Sequence, residues 1–502
     1  MINKTGKFFP LLIIFSFLFS GMIFAAEGDI VWTRTYNGTA NQSDCGYGIA
    51  VDGSGNVYIT GYESVTGESN NIWVRKYDSE GKEVWTDTYN GTADGEDRGY
   101  GIAVDGNGKV YVAGSEWVTG EGYNIWVRKY DSDGYEVWTD TYNGTADQYD
   151  CGYGVAVDGS GNVYVTGCES VPGEDYNIWV RKYDSDGGEI WTRTYNNGTT
   201  DGVDIGFGIA VDGSGNVYVT GFETVTGEGR NFWVRKYDSG GEELWTSTYN
   251  GTANDWDYGS GIAVDGSGNV YVVGSEWVME EGYNIWVRKY DSGGNEVWTR
   301  TYDGPDNSED CGFGIAIDES RNVYVTGYEY IMLEDWNIWL RKYDTNGNRI
   351  WTRTYDGAAN DDDEGCAIAV DRNSNVYVTG FETVTGEGRN IWVRKYAGPF
   401  QLVEVVSGEV KIQGGEKGYV NPRKGEEARI YFKPTGEGVV NAKIFTLRGL
   451  LVWEKSKSVS GVKDFIEWNC RNKENGVVAS GIYVVYVEGP GIKSTKKVAI
   501  LK

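Results

Sequence analysis

The stretch GIAVDGSGNVYVTG, residues 208–221, returns in close variants along most of this 502-residue chain. Its AVD or AID triplet ends at Asp52, Asp105, Asp158, Asp212, Asp265, Asp318 and Asp371, which are 53 or 54 residues apart. Two other phrases, N-[IF]-W-[VL]-R-K-Y and WTxTY, also occur seven times at this spacing. A repeat of this length indicates one supersecondary unit per copy, with its apolar face buried against the neighbouring copies.

Each copy predicts four short strands. GIAVD, NVYVTG, NIWVRKYD and xVWTxTY are rich in the β-branched and aromatic residues that strands favour. DGSGN joins the first two and DSxG the last two, and both contain the Asp and Gly of tight turns. Four antiparallel strands repeated radially predict an all-β fold, a seven-bladed β-propeller. A solenoid is the alternative, although 53 residues are long for one coil.

The consensus GIAVDGSGNVYVTG…NIWVRKYDSxGxxxWTxTY resembles the seven-bladed β-propeller repeat of many secreted bacterial and archaeal proteins. The resemblance covers residues 29–397 and holds in all seven copies. It implies the propeller fold and a position outside the cell or on its surface. It implies no particular activity.

The first and last copies are incomplete in complementary ways. The chain has a spare WTRTY at residues 32–36, whereas the seventh copy stops at Tyr396 without a WTxTY strand. By analogy with other propellers, GIAVD is expected to be the innermost strand and WTxTY the outermost. Strand 30–36 is therefore predicted to pair with strand 390–396 and close the ring, so deleting residues 27–38 should strongly destabilise the fold.

Residues before and after the repeats predict export and a further domain. Lys4 and Lys7 precede an apolar run to Phe24, and Ala25 and Ala26 follow, as in a secretory signal peptide over residues 1–26. A membrane anchor is the alternative for this run, and no later segment is apolar enough to span a bilayer. We therefore expect a propeller at 27–398, a linker or first strand at 399–419, and a C-terminal domain at 420–502.

The C-terminal residues 420–502 read as alternating strands, which predicts a small antiparallel β-sandwich. Phrases such as KIFTLRGLLV and SGIYVVYV resemble two families. One is the immunoglobulin-like domain of flagellar hook-capping proteins, and the other is the C-terminal sorting domain of type IX secretion cargo. Either resemblance implies export or attachment at the cell surface.

Charge and histidine content limit the function. The net charge is −29, of which residues 400–502 contribute +6 and the rest of the chain −35. That charge would repel nucleic acid and anionic lipid, so neither is expected as a partner. The chain has no His, which excludes Ser-His and Cys-His nucleophiles and His-ligated zinc or copper.

Residues present in every copy are expected to build the blades. The Trp and Tyr of NIWVRKY predict an aromatic layer between blades. The Arg two residues after this Trp, as in Arg75, is expected to pair with the Glu eleven residues after the AVD Asp, as in Glu63, or with that Asp. The alternative for these Glu residues is a ring of carboxylates around the channel mouth.

Residues that differ between copies are the candidates for binding. They lie in the loops from WTxTY to GIAVD and from the second strand to the third, which fall on one face of the disc. The candidate set consists of aromatic and apolar residues present in only one or two blades: Trp117, Trp256, Trp277, Ile331, Met332, Leu333 and Trp336. We expect this face to bind a protein or a glycan at the cell surface.

Calcium and glycosylation are further candidates. Asp361, Asp362, Asp363 and Glu364 offer the hard oxygen ligands that calcium needs. No stretch has the ligand spacing of an EF-hand, and a solvated acidic loop is the simpler interpretation. The triplet N-G-T matches a glycosylation sequon and equally a turn after the outer strand, at Asn37, Asn90, Asn143, Asn197 and Asn250.

Two cysteine pairs are candidates for disulfides in an exported chain. Folding the third copy about its DGSGN turn places Cys151 opposite Cys168, and this is the predicted local disulfide. Cys366 of the seventh copy would lie beside Cys45 of the first copy across the closure. Unpaired structural cysteines are the alternative for both pairs.

The sequence thus predicts a secreted or surface-displayed, monomeric propeller that acts as a binding or scaffold protein. One alternative is a glycosidase or lyase with paired carboxylates, and another is a calcium-stabilised structural protein of the cell envelope. No pair of acids stands out from the repeats, so the sequence assigns neither catalytic residues nor a cofactor.

Overall fold

The computed structural model describes residues 27–198, 202–398, 410–413, 428–446, 448–461, 464–473 and 476–500. The predicted signal peptide and most of the predicted linker lie outside these ranges. All regular secondary structure in these ranges is β-strand. The described residues contain no helix that is long and apolar enough to cross a membrane. The chain divides into two compact units, one of which contains residues 27–401 and the other residues 402–502.

Seven four-stranded antiparallel sheets make up the first unit, and each is called a blade here. Their strands are β1 (Ile30–Tyr36), β2 (Cys45–Val51), β3 (Val57–Val65), β4 (Ser69–Tyr77), β5 (Glu83–Tyr89), β6 (Arg98–Val104), β7 (Val110–Val118), β8 (Gly122–Tyr130), β9 (Glu136–Tyr142), β10 (Cys151–Val157), β11 (Val163–Val171), β12 (Asp175–Tyr183), β13 (Glu189–Tyr195), β14 (Ile205–Val211), β15 (Val217–Val225), β16 (Gly229–Tyr237), β17 (Glu243–Tyr249), β18 (Tyr258–Val264), β19 (Val270–Val278), β20 (Gly282–Tyr290), β21 (Glu296–Tyr302), β22 (Cys311–Ile317), β23 (Val323–Ile331), β24 (Asp335–Tyr343), β25 (Arg349–Tyr355), β26 (Glu364–Val370), β27 (Val376–Val384) and β28 (Gly388–Tyr396). Blades 1 to 6 take four consecutive strands each, from β2–β5 to β22–β25. Blade 7 consists of β26, β27, β28 and β1.

The N-terminal strand completes blade 7. β1 runs antiparallel to β28, with Thr33 opposite Arg394 and Tyr36 opposite Ile391. The predicted pairing of strand 30–36 with strand 390–396 is therefore confirmed. The pairing covers an edge of β28 that would otherwise be open, because no WTxTY segment follows β28 in the sequence.

The first strand of each blade packs against the first strand of the next, and β2 also contacts β26, β27 and β28 of blade 7. Side chains from facing sheets fill the space between blades, since successive residues of a strand point to opposite faces. Trp73 is fully buried there and its ring lies 5.1 Å from that of Tyr36, which belongs to blade 7. The repeated Trp residues form the predicted aromatic layer, and the fold is all-β and of the propeller class.

The predicted ion pairs of the repeated Arg are wrong. Arg75 pairs with Glu83 on the outer strand at 3.5 Å, and its Nε donates to Thr86 Oγ1 at 2.6 Å. Its guanidinium also lies over the rings of Tyr36 and Trp73. Arg75 sits opposite Ile59 on β3. Glu63 is four residues further along that strand, so the backbones of Arg75 and Glu63 are ~13 Å apart along the strand direction.

The repeated Glu instead joins neighbouring blades. Tyr36 of blade 7 donates its hydroxyl to Glu63 of blade 1 at 2.5 Å. The same bond recurs at every blade interface: Tyr89–Glu116, Tyr142–Glu169, Tyr195–Glu223, Tyr249–Glu276, Tyr302–Glu329 and Tyr355–Glu382. These carboxylates therefore do not form a ring around the channel mouth.

The repeated AVD aspartate shapes the tight turn after the inner strand. Asp52 Oδ1 accepts the backbone N–H groups of Ser54 and Asn56, and its Oδ2 accepts the hydroxyl of Tyr58. Such side-chain acceptors hold an Asx-type turn in place. This use of Asp52 leaves it unavailable as the partner of Arg75.

The second unit contains two antiparallel sheets that share one apolar core. One sheet has the order β29 (Val410–Gln413), β30 (Ala428–Phe432) and β33 (Asp464–Trp468). The other has the order β32 (Leu451–Ser460), β31 (Glu437–Thr446), β34 (Gly481–Gly489) and β35 (Ile492–Ile500). Ile430 and Trp468 of the first sheet pack in one cluster with Ile444 and Val485 of the second.

Candidate functional site: the long-loop face and the axial channel

The long-loop face is the side of the propeller that carries two sets of connections. One set runs from an outer strand to the next inner strand, at residues 37–44, 90–97, 143–150, 196–204, 250–257, 303–310 and 356–363. The other set contains the turns between second and third strands, at residues 66–68, 119–121, 172–174, 226–228, 279–281, 332–334 and 385–387. Both sets share a face because the strands alternate in direction within each blade.

A β-bulge interrupts the inner strand of every blade. In blade 1 the register runs from Gly46 opposite Gly61 to Gly48 opposite Thr60, which leaves Tyr47 without a partner. The same shift leaves one extra residue in each other blade: Tyr100, Tyr153, Phe207, Ser260, Phe313 and Cys366. A bulge re-aims its extra side chain, and these seven side chains all line the axial channel.

Glycines flank the bulge in blades 1 to 6, where neighbouring chain segments leave no room for a Cβ, and blade 7 has Gly365 and Ala367. A Cβ on Gly48 would lie 2.7 Å from the carbonyl oxygen of Tyr100, in the next blade. A Cβ on Gly46 would lie 2.5 Å from Thr379 Oγ1, in the preceding blade. Packing therefore limits the flanking positions to small residues, whereas the central residue of the triplet can vary in size and chemistry.

The seven bulge residues, together with Tyr258 and Glu364, line a cavity of about 270 Å³. Five of the seven are aromatic, and successive rings from Tyr47 to Phe207 lie 5.1–5.3 Å apart. Ser260 and Cys366 are small, and in those two blades the residue two positions earlier reaches the cavity instead. The result is a channel with an aromatic wall and one carboxylate, at the end of the inner strands that is nearest the long loops.

Glu364 has few partners in this channel. The Cys366 thiol donates to its Oε1 at 3.4 Å. Arg389 is the nearby cation, but its Nη2 pairs with Asp362 at 3.2 Å and its guanidinium lies over the ring of Phe381. Burial raises the pKa of Glu364 to about 7. The carboxyl is thus ionised only in part at neutral pH, because the channel supplies little compensation for its charge.

Aromatic side chains at the start of the third strands connect the long-loop face to the channel. Trp336 stacks on Tyr328 at 4.5 Å, and the ring of Tyr328 contacts that of Phe313 in the channel. In blade 5, Tyr283 packs edge-on against Tyr258 at 5.6 Å. The channel mouth is therefore bordered by rings that touch the channel lining directly.

The predicted tryptophans lie at this border in different settings. Trp117 is exposed and packs edge-on against Tyr123, and the half-buried Trp277 packs in the same way against Tyr283. Trp256 is exposed and lies 4.3 Å from the guanidinium of Arg230. Trp336 is half-buried and stacks on Tyr328. The four rings belong to the same face but do not form one continuous platform.

The predicted apolar residues of blade 6 lie at the tip of its turn. Met332 is 64% exposed and Leu333 87% exposed, whereas Ile331 is half-buried at the end of β23. Leu333 has a φ of +77°, and the corresponding residue in blade 5, Glu280, has a φ of +72°. The other five blades have Gly at this position with similar φ values: Gly67, Gly120, Gly173, Gly227 and Gly386.

The tip of blade 6 is also held from a neighbouring loop. The backbone N–H of Met332 donates to Asp306 Oδ2 at 2.7 Å. Blade 5 carries Met279 at the equivalent position, and this side chain is 73% exposed. Left-handed backbone costs a non-glycine residue about 1–2 kcal/mol, so two adjacent blades keep exposed side chains in an unfavourable conformation.

The four acidic residues proposed as calcium ligands are used in different ways. Asp361 is exposed, and Asp362 pairs with Arg389. Asp363 is fully buried and accepts the backbone N–H groups of Gly357 and Thr383, while Glu364 lines the channel. Among the described residues no group of three or more acids or cysteines is arranged to hold a metal ion.

The Asn residues of the N-G-T triplets take part in their own loops. The Asn37 amide donates to Asn41 Oδ1 at 2.8 Å, and Asn90, Asn143 and Asn250 donate in the same way to the residue four positions later. The triplet at Asn197 ends at residue 199, which lies outside the described residues. The turn interpretation accounts for the contacts of the four triplets that are fully described.

The cysteines lie where the strand pairing predicts. Cys151 is directly opposite Cys168 across β10 and β11, and both are fully buried with their sulfurs not joined. Cys45 and Cys366 share an apolar cluster with Tyr47, Tyr62 and Phe381 at the contact between blades 1 and 7. The predicted register of the first pair is confirmed, and the disulfide itself stays a prediction.

Sequence reasoning named Glu364 and Cys366 for other roles and missed the remaining channel residues, although the seven bulge residues carry a recognisable signal. They occupy the central position of the triplet between two small residues at the start of each inner strand, where the seven copies read Tyr, Tyr, Tyr, Phe, Ser, Phe and Cys. The flanking residues hardly vary, so the change of residue type at the centre from copy to copy is the signal.

Comparison with known proteins supports the fold. A family model described as a beta-propeller repeat matches residues 31–62, 247–275 and 350–380. No curated protein matches the chain. Together with the seven repeated sheets, the family match supports the propeller fold and says nothing about a ligand.

Several solved structures are similar to this chain at low identity. A protein of unknown function from Bacteroides caccae is 12% identical, with a TM-score of 0.38 over 56% of this chain and 90% of the other. PorZ, a surface component of the type-IX secretion system of Porphyromonas gingivalis, is 13% identical, with a TM-score of 0.33 over 90% of this chain and 70% of the other. An ancestral GH74 enzyme is 12% identical, with a TM-score of 0.44 over 76% of this chain and 52% of the other. By its repeats, its sheets and the matching family segments, this chain is a β-propeller repeat protein.

Proposed function

We propose that this protein is a secreted or surface-displayed scaffold that binds a protein partner through the long-loop face of a closed, seven-bladed propeller. The observation that carries the proposal is the pair of exposed tips on blades 5 and 6. Met279, Met332 and Leu333 leave their apolar side chains in solvent, where nothing in the described structure covers them. Exposed apolar side chains at the tips of two adjacent blades, on an acidic surface, are typical of an interaction site.

The strained backbone of the tips supports a role in binding over a role in folding. Blades 1, 2, 4 and 7 have Thr-Gly-Glu at these positions, which forms the same turn without strain. Leu333 and Glu280 adopt the same positive φ without being glycine, and their exposed side chains do not contribute to a core. Strain of this kind persists where the protruding side chain has a use outside the fold.

A protein partner fits this surface better than a glycan. Two Met and one Leu offer flexible apolar contact without hydrogen bonds, and burying one such side chain contributes about 1.5–3 kcal/mol. A glycan needs flat rings and polar groups, and the tryptophans of this face are partly covered by Tyr or Arg neighbours. A partner with an apolar pocket and a basic rim would also complement Glu280, Glu281 and Glu334 around the tips.

The export signals and the C-terminal unit support a location at the cell surface. The C-terminal unit is a small two-sheet structure, as expected of the immunoglobulin-like and sorting domains that its sequence resembles. We propose that the C-terminal unit serves export or attachment, whereas the propeller binds the partner. Catalysis by a carboxylate pair has less support, because Glu364 is the only acid among the channel-lining residues and glycoside hydrolysis uses two.

The test restores the common turn at both tips. The variant Met279→Thr/Glu280→Gly/Met332→Thr/Leu333→Gly gives blades 5 and 6 the Thr-Gly-Glu turn of blades 1, 2, 4 and 7. Because it removes backbone strain, its free energy of unfolding should be equal to or higher than that of the wild type, by up to ~2 kcal/mol. Because it removes three apolar contacts, capture of surface proteins from native cells should fall at least tenfold.

The matched control is Thr119→Ala at the equivalent tip of blade 2, which should capture the same proteins as the wild type. Recovery of the same partners by the fourfold variant would overturn the proposed surface. If the wild type bound a glycan on an array and the fourfold variant lost that binding, the partner would be a glycan and not a protein.

A further inference from the structure

The axial channel has the features of a second, separate binding site. Its cavity of about 270 Å³ is lined by nine residues, six of them aromatic, and none of the nine is Lys or Arg. Each of these side chains keeps part of its surface exposed to the channel. A cavity of this size fits a small molecule or a side chain of a larger one rather than a drug-sized ligand.

The carboxylate is the polar group that defines the ligand. Glu364 lies inside the aromatic wall, and the one hydrogen bond the structure gives its side chain comes from the Cys366 thiol, a weak donor. The charge of Arg389 acts on Glu364, but its guanidinium pairs with Asp362 and lies over the ring of Phe381. A buried carboxylate without a strong donor is costly, and a ligand that brings both a positive charge and N–H donors would offset that cost.

The aromatic wall selects the same kind of ligand. Tyr47, Tyr100, Tyr153, Phe207 and Phe313 surround the axis, and the faces of such rings attract cations as well as apolar stems. The propeller and its preceding residues carry a net charge of −35, which raises the local concentration of cations at the channel mouth. Shape, wall and charge therefore favour the same class of molecule.

We infer that the axial channel binds a primary ammonium group on an apolar stem, with the Glu364 carboxylate as its counter-ion and the aromatic ring around the stem. The ammonium donates hydrogen bonds to both carboxylate oxygens, and the stem packs against the tyrosines and phenylalanines. A short alkylamine, or the side chain of a lysine from another molecule, has this chemistry. The inference does not depend on the protein partner proposed for the blade tips.

The test uses n-butylammonium as the probe and isothermal titration calorimetry on the full mature chain at pH 8. The wild type should bind n-butylammonium, and Glu364→Gln should bind it at least tenfold more weakly. Neutral n-butanol, which has the same stem, should not bind measurably. Tetramethylammonium should bind at least tenfold more weakly than n-butylammonium, because it can stack on the rings but donates no hydrogen bond to Glu364.

Two further variants separate a lost site from a lost fold. Ser260→Phe should block the channel while leaving Glu364 in place, and Glu309→Gln, an exposed acid on a long loop, should bind n-butylammonium like the wild type. Equal binding by Glu364→Gln and the wild type, or equal binding of n-butanol and n-butylammonium, would overturn the inference. Stronger binding of tetramethylammonium would overturn the ammonium–carboxylate contact.

The acidity of Glu364 gives a second readout. Asp362, Arg389, Cys366, Cys311 and Tyr328 are the charged or titratable groups that influence this carboxyl or are influenced by it. Protonation of Glu364 removes the counter-ion, so wild-type affinity should fall severalfold from pH 8 to pH 5.5. The residual affinity of Glu364→Gln should hardly change over this range. An affinity that rises on acidification would contradict the inference.

The two proposed sites are distinguished by crossing their variants. Glu364→Gln should capture the same surface proteins as the wild type, and the fourfold tip variant should bind n-butylammonium normally. Loss of both activities in both variants would mean that one ligand bridges the tips and the channel, which would contradict the separation of the sites.

Discussion

One buried aspartate closes each long loop, and all seven have the same surroundings. Asp44 accepts the N–H of Gly38 at 2.5 Å and that of Ser64 at 2.8 Å, so it ties the loop to the second strand of its blade. The equivalent residues are Asp97, Asp150, Asp204, Asp257, Asp310 and Asp363. Backbone donors favour the charged carboxylate, but burial has the larger effect on the pKa and raises it to about 6 in Asp44, Asp97, Asp204, Asp257 and Asp363.

These aspartates predict that the protein is more stable in mild acid. In the unfolded chain an aspartate has a pKa of about 4, so the folded state binds protons more tightly between about pH 4 and pH 6. The free energy of unfolding should therefore fall as the pH rises through this interval, by roughly several kcal/mol over the five residues. Chemical denaturation at pH 4.5, 6 and 7.5 measures the change, and a stability that rises with pH would contradict the prediction.

Glu364 should add to the same trend at slightly higher pH, because burial raises its pKa to about 7. In Glu364→Gln the carboxylate that is costly to bury is absent. The variant should therefore be more stable than the wild type at pH 8 and lose this advantage below about pH 5. This comparison also shows that the variant used in the ligand test is folded.

The strand that completes blade 7 comes from the other end of the propeller sequence. Blade 7 therefore has no tight turn between its third and fourth strands, and another group takes the place of that turn. In blades 1 to 4 the ammonium of the repeated Lys and the indole N–H of the outer-strand Trp donate to the tight turn of the next blade, as Lys129 and Trp138 do to the carbonyl oxygen of Ser185. In blade 5 the indole N–H of Trp298 donates to the carbonyl oxygen of Thr345. Blade 7 lacks this turn, since its last strand is not joined to β28. Glu27 takes its place and accepts from both Lys342 and Trp351 of blade 6.

This substitution makes Glu27 a sensitive point of the closure. In Glu27→Ala the buried ammonium of Lys342 loses its acceptor, which should lower the free energy of unfolding by about 2–3 kcal/mol. Lys342→Met in the same chain removes the unpaired charge and should recover most of that loss. Equal stability of Glu27→Ala and the wild type in chemical denaturation would contradict this role.

The blades are joined into one molecule by contacts that repeat at every interface. A tyrosine hydroxyl of each outer strand donates to a glutamate of the next blade, and the bond between Tyr36 and Glu63 joins blade 7 to blade 1 in the same way. The β1–β28 pairing and the contacts of β2 with blade 7 lie at the same junction. If the ring is closed, this junction should be as strong as any other.

Equivalence of the junctions can be measured with two matched variants. Tyr36→Phe, at the closure, and Tyr142→Phe, between blades 2 and 3, each leave a buried glutamate without its hydroxyl donor. Both should lower the free energy of unfolding by about 1–3 kcal/mol and by similar amounts. A closure variant that has no effect, beside a clear loss in Tyr142→Phe, would show that blades 7 and 1 do not share a stable interface.

The sequence by itself determined the repeat, the four strands of each blade, and the pairing of β1 with β28. These follow from local patterns: alternating apolar residues, turn residues at fixed offsets, and a spare strand at one end matched by a gap at the other. Even the register that sets Cys151 opposite Cys168 follows from the position of one tight turn. Such features follow from the order and spacing of motifs along the chain, which a single sequence displays.

Only the tertiary structure decided which repeated charges meet and where a ligand can bind. The Arg and Glu represented by Arg75 and Glu63 recur together in every copy, yet they do not pair with each other. Arg75 pairs with the outer strand of its own blade and Glu63 accepts from another blade, and the spacing of the repeats does not predict these contacts. The channel depends on the β-bulge in each inner strand. The bulge turns one side chain out of the alternating pattern of the strand and toward the equivalent side chains of the other six blades. Seven residues about 53 positions apart form one site because the blades are arranged around a common axis, and that arrangement is a property of the packed molecule.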